Sequence, residues 1–167
     1  MIVLASCGTT SRYRYAEDAV LIRNVPFFPQ EENQCGPASL AGVLNYWGVS
    51  VYPEEISREI YSEPARGTLN IDMLRYAMAK GLDASRFSGN MDILRRSIKS
   101  GLPVIVLVDR GFYVYQSNHF MVVTGYNKDG VIVNSGRKKE TFIPEEAFVK
   151  SWKRTEFWML LINGPKE

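Results

Sequence analysis

The feature that most constrains the fold is a change of hydrophobic period near Gly101. Upstream of it, apolar residues recur at helical spacing; downstream they come in short continuous runs. Ala38, Leu40, Ala41, Val43, Leu44 and Trp47 fall on one side of a helix that opens at Gly36, with Pro37 in its first turn and Gly48 at its stop. The spacing predicts further helices over residues 53–60, over 70–80 with Asn70 as cap and Gly81 as stop, and over 92–100 ended by Gly101. Then the pattern changes. Pro103-Val104-Ile105-Val106-Leu107-Val108, His119-Phe120-Met121-Val122-Val123 and Val131-Ile132-Val133-Asn134 read as buried strands, the last two joined through the turn Asn127-Lys128-Asp129-Gly130. A short helix at 145–148 and a last strand at 157–162 complete the pattern. Helices first and strands afterwards predict an α+β fold with an antiparallel sheet.

A chain of 167 residues, 46% hydrophobic, can bury one substantial core. One folded domain is expected over 21–167, entered through an extended, proline-marked piece containing Pro26-Phe27-Phe28-Pro29. Residues 1–20 lack periodic apolar positions and read as a tether. The charge, 20 basic against 18 acidic residues, is too balanced for a nucleic-acid partner. The run Arg137-Lys138-Lys139 reads as a solvated turn. There is no GxxxxGK[ST] sequence, no CxxC pair and only one histidine, so neither a nucleotide loop nor a metal site is expected, and no cofactor is called for.

The two cysteines, Cys7 and Cys35, are not expected to pair. Leu4-Ala5-Ser6-Cys7 resembles a lipoprotein box, with Gly8-Thr9-Thr10-Ser11 as its polar tether. Only Met1-Ile2-Val3 precede it, so its signal is read as truncated. The expectation is a chain at the cell envelope, on the periplasmic or extracellular side, touching membrane only through a lipid on Cys7 and otherwise monomeric.

Cys35 is the chemically telling cysteine. It stands at the mouth of the first helix, where unpaired N–H groups and the helix dipole favour an anion, and thiolates are the reactive form. His119, the only histidine, opens a later strand. A thiol and an imidazole brought together make the working pair of nucleophilic catalysis. Asn134 follows across one hairpin and is placed to orient the ring's second nitrogen, in a Cys-His-Asn version of triad logic. Gln30 and Gln34 are both candidates to donate to an oxyanion, together with the Cys35 backbone N–H. Phe112, Tyr113 and Tyr115, just ahead of His119, could wall a substrate cleft or equally serve packing, and receive no role.

Gln30…Cys35-Gly36-Pro37-Ala38, followed by His119-Phe120-Met121-Val122-Val123-Thr124-Gly125-Tyr126, resembles the C39-like cysteine peptidases of the papain-like superfamily over about residues 22–162. The resemblance implies a papain-like fold in which the nucleophile helix packs on the sheet, with Cys35 as nucleophile, His119 as general base and acid, and Gln30 as oxyanion donor. Its best-known members cleave leader peptides after a double glycine and are fused to exporters. Here the glutamine stands five residues before the cysteine where six is common, and Asn134-Ser135 stands where Asp-Pro often ends the strand. With the lipoprotein-like start, the chain looks closest to stand-alone, lipoprotein-type members.

Two readings follow. One is a cysteine peptidase or amidase acting on a peptide or protein through an acyl-enzyme, with transfer to an amine open to the same residues. The other is a catalytically inactive, peptide-binding module of the cell envelope.

Overall fold

The computed structural model describes residues 18–30 and 33–164. Cys7, its lipoprotein box and most of the tether lie outside the described residues.

In chain order the described elements are β1 (Val20–Leu21), α1 (Cys35–Tyr46), α2 (Pro53–Ile60), β2 (Tyr61–Ser62), β3 (Gly67–Thr68), α3 (Asn70–Ala79), β4 (Asp83–Ser88), α4 (Met91–Lys99), β5 (Val104–Asp109), β6 (Asn118–Tyr126), β7 (Gly130–Ser135), β8 (Lys138–Pro144), α5 (Glu145–Lys153) and β9 (Trp158–Asn163). The fold is the expected α+β arrangement. Its main sheet runs β4-β9-β5-β6-β7-β8, antiparallel throughout, with β1 added to the far end of β6. The small β2–β3 hairpin stands apart from it.

The predicted helices form where caps and stops placed them. Gly48, Gly81 and Gly101 follow α1, α3 and α4 at φ of 83°, 83° and 78°, the left-handed conformation a helix stop needs and glycine adopts without strain. Asn90 caps α4 by accepting from the Ile93 N–H at 2.9 Å, whereas Asn70 is the first residue of α3 and caps nothing. The last helix is longer than expected, because Val149 and Trp152 continue the face begun by Phe148 and bury it.

Consecutive residues of β5, β6 and β7 are buried, which requires cover on both faces of the sheet. The helices accordingly form two groups. α1, α2 and α3 pack on one another, with α1 lying along β6; α4 and α5, joined by the Arg95–Glu145 ion pair, pack on the sheet as well. Trp152 and Phe148 are fully enclosed, and the Trp152 indole N–H donates to the Trp158 carbonyl at 2.8 Å.

β1, β4, β8 and the small β2–β3 hairpin escaped the sequence reading, and β4 and β8 are the edges of the main sheet. β4 is polar and mostly exposed, and β8 begins with Lys138, so the solvated turn expected at 137–139 is instead a turn running straight into a strand. Charged residues on an edge strand discourage pairing with other chains, at the cost of any apolar alternation.

Candidate active site

The site forms where the start of α1 meets the start of β6. Cys35 is the first residue of α1, in a position whose backbone N–H has no partner within the helix. The next residue must be small. A Cβ on Gly36 would lie 2.8 Å from the Thr68 Cβ, so glycine lets β3 close against the nucleophile end of the helix.

Two cavities meet at Cys35, both also lined by Asn33 and Asn118. One, of about 290 Å³, is walled by residues 65–70 with Leu107 and Phe120. The other, of about 370 Å³, is walled by Gln30, His119, Gly136 and Arg137. Cys35, His119 and Gln30 are thus brought to one cleft, as the sequence led us to expect. Arg137, read as a solvated turn residue, lies on its rim.

Gln30 is buried and held from two sides. Its side-chain oxygen accepts from the Gly136 N–H at 3.0 Å, and its backbone N–H donates to the Gly136 carbonyl at 2.9 Å. Among the described residues the amide nitrogen has only a long 3.5 Å contact to the Ser39 hydroxyl, which leaves a donor at the cleft. Gln34 is turned away, its amide donating to the Ser57 hydroxyl at 3.3 Å. Of the two glutamine candidates, only Gln30 faces Cys35 and His119.

Asn134 is not beside the histidine. It pairs with Val122 across β6 and β7, and directly opposed residues share a face of the sheet. Val122 and His119 are an odd number of positions apart, so they point to opposite faces, and Asn134 goes with Val122. Its side-chain oxygen accepts from the Glu140 N–H at 2.9 Å, at an irregularity of the β7–β8 ladder where Glu140 takes a φ of 52°. Ser135, one position on, falls on the histidine's face. Its hydroxyl lies 3.0 Å from His119 Nε2.

Two more residues at the site belong to no sequence motif. Arg110 follows β5, and its guanidinium donates to the Ser135 hydroxyl at 2.7 Å. Asp109 is buried at the root of the loop between β5 and β6. It accepts from the Gly111 and Ser117 N–H groups at 2.7 and 2.8 Å, and Arg154 pairs with it at 2.8 Å. The Ser117 N–H above all holds this carboxyl below its ordinary range; burial opposes that, and Gly111 and Arg154 add to it. Asp109 thereby ties the two ends of the loop that carry Arg110 and Asn118.

The electrostatics follow from this setting. His119 is half-buried, and its pKa is lowered to about 4, first by burial and then by the Arg110 charge. Near neutral pH the ring is neutral and available as a base. Arg110 is itself lowered by desolvation around its guanidinium, while the nearby Cys35 group pulls it the other way.

A profile of the Peptidase_C39 like family matches residues 22–158. The chain belongs to that family. Among solved structures, this C39-like domain superposes on a putative C39-like peptidase from Bacillus anthracis with a TM-score of 0.77, at 18% identity over 90% of this chain and 100% of the other. The peptidase domain of Streptococcus ComA, described as a bifunctional ABC transporter in quorum sensing, gives 0.70 at 22% identity, over 85% and 99% of the two chains. A double glycine motif protease of an AMS/PCAT transporter, solved in complex with its leader peptide, gives 0.68 at 25% identity, over 85% and 92%. The curated relative PedD of Pediococcus acidilactici, a pediocin PA-1 transport/processing ATP-binding protein, is 31% identical over 127 residues, which span 73% of this chain and 16% of PedD. The domain is therefore related to double-glycine leader peptidases, and its α+β fold with an antiparallel sheet is theirs.

Proposed function

We propose that this C39-like domain is a cysteine peptidase or amidase that cleaves a peptide bond through an acyl-enzyme on Cys35. The observation that carries the reading is the single cleft walled by Cys35, His119 and Gln30. Because Ser135 occupies Nε2, Nδ1 is the ring nitrogen open to the thiol. In this reading Nε2–H donates to the Ser135 oxygen, and Nδ1 takes the proton from the Cys35 Sγ. The thiolate attacks the carbonyl carbon, and the developing oxyanion accepts from the Gln30 amide and the Cys35 backbone N–H. The imidazolium then gives its proton to the leaving amine. Water, activated by the same ring, releases the acyl group; an amine in its place would make the reaction a transfer.

The double glycine motif protease that this domain resembles was solved with its leader peptide, and a double-glycine leader peptide is the first substrate to offer. The wild-type chain should cleave it, with a covalent adduct at Cys35 seen by intact mass spectrometry, and Cys35→Ala should not. Binding with equal affinity by both proteins, with no cleavage by either, would support the peptide-binding module instead. One observation favours keeping that second reading: a serine held by an arginine, rather than a carboxylate, backs the histidine.

The same reading includes a lipoprotein-type chain held at the cell envelope by a lipid on Cys7, on the strength of Leu4-Ala5-Ser6-Cys7. Mass spectrometry of the protein made in its own host tests this: a lipid on Cys7 supports it, and an unmodified N-terminus ends it.

A further inference from the structure

We propose that Arg110 is a positioning residue of this site: it holds the Ser135 hydroxyl against the far nitrogen of His119, and it supplies the fixed positive charge beside Cys35. The inference rests on the Cys35–His119 reading above, and goes beyond it by naming what sets the ring and its charge.

The geometry is a relay of two hydrogen bonds. The Arg110 guanidinium lies 2.7 Å from the Ser135 oxygen, and that oxygen lies 3.0 Å from His119 Nε2. A guanidinium can only donate, so on that side the serine must accept. A hydroxyl keeps a second lone pair, and with the first committed to Arg110 the second accepts from Nε2–H in the tautomer assigned to the ring above. A serine without such a clamp rotates freely and orients nothing. The clamp itself is anchored, because the buried Asp109 ties down both ends of the loop that begins at Arg110 and ends at Asn118.

The charge has its own consequence. Among the described residues, the charged and titratable groups around the ring are Cys35 from α1, Arg110 after β5, and Arg137 from the β7–β8 turn. Asp109 lies next to the residue paired with His119, but its carboxylate is engaged by Arg154 and two backbone donors. Among the described residues no carboxylate backs the histidine. A carboxylate there would stabilise the imidazolium; an arginine destabilises it and favours a thiolate instead. The imidazolium formed when the thiol gives up its proton is therefore a strong acid toward the leaving amine.

His119 is the only histidine in the chain, so its ring gives a single NMR titration that requires no assignment and no turnover. At pH 5.5 the wild-type ring should remain neutral. In Arg110→Gln it should already be partly protonated, with its midpoint about 1 unit higher. It should stay below the ordinary histidine value, because burial remains. Arg110→Lys keeps the charge and should hold the midpoint near that of the wild type. Arg110 is exposed, so these changes leave the core intact, and a merely structural role would not move the titration. Coincident titrations in the wild type and Arg110→Gln would overturn the proposal, whatever the protein's activity. The relay is tested separately by alkylating Cys35 in a Cys7→Ser background. Arg110→Gln and Ser135→Ala should each slow labelling several-fold, and the double variant should be little slower than Arg110→Gln alone, which already loses both the charge and the clamp. Fully additive effects would show that Arg110 does not act through Ser135.

Discussion

The Ser135 hydroxyl stands 3.0 Å from His119 Nε2, and Asn134, its neighbour in the chain, faces the other side of the sheet. Under the proposed Cys35–His119 chemistry, the residue that orients the ring is therefore the one whose strand position matches, and the two adjacent side chains should respond to substitution in opposite ways. Ser135→Ala should lower kcat/KM by about tenfold or more with little change in melting temperature, since it removes an orienting contact. Asn134→Ala should leave kcat/KM and the His119 titration almost unchanged but destabilise the fold by about 1 kcal/mol, because the part-buried Glu140 N–H loses this acceptor. Steady-state kinetics and thermal melts of the two variants check both halves.

Stability should fall as pH drops through the histidine range. The unfolded ring titrates near its ordinary value of 6.5 and the folded ring near 4. Between these values the unfolded chain binds more protons than the folded one, so the contribution of His119 is fully present above about pH 6.5 and is lost as pH falls through about 4. Denaturant unfolding at pH 7, 5.5 and 4.5 should show this loss, and His119→Gln should show a flatter dependence.

Much of this was legible in the sequence, for identifiable reasons. The helix stops were visible because Gly48, Gly81 and Gly101 each end a periodic apolar pattern, and the central strands because β5, β6 and β7 are buried on both faces and so read as unbroken apolar runs. β4 and β8 were not visible, because an edge strand with charged residues looks like a loop. At the site, Cys35, His119 and Gln30 were recognisable by residue type and spacing. Ser135 was not, because the choice between it and Asn134 depends on the β6–β7 register, and a shift of one residue exchanges the two faces. Arg110 belongs to no motif; the one available hint was a cation directly after a buried strand and ahead of the only histidine.

Gly36 should tolerate no side chain. A Cβ there meets Thr68 at 2.8 Å, so either β3 or the start of α1 must move. Gly36→Ala should cost about 1–3 kcal/mol and slow Cys35 alkylation, because the shift occurs next to the nucleophile. Chemical denaturation together with labelling kinetics checks this, and a variant as stable and as reactive as the wild type would contradict it.

Gln30→Ala removes the side-chain donor at the cleft and should lower kcat by about 10²–10³-fold with a much smaller effect on KM, as expected for a group that acts on a developing oxyanion. A change confined to KM would instead assign Gln30 to substrate binding.

The central claim, that Cys35 is a nucleophile worked by His119, is tested most directly by the pH dependence of iodoacetamide labelling in a Cys7→Ser background, with and without His119→Ala. The account predicts that labelling of Cys35 is fast across neutral pH when His119 is present to take its proton, and several-fold slower when the ring is removed. Coincident profiles in the two proteins, or a Cys35 inert in the folded wild type, would contradict it.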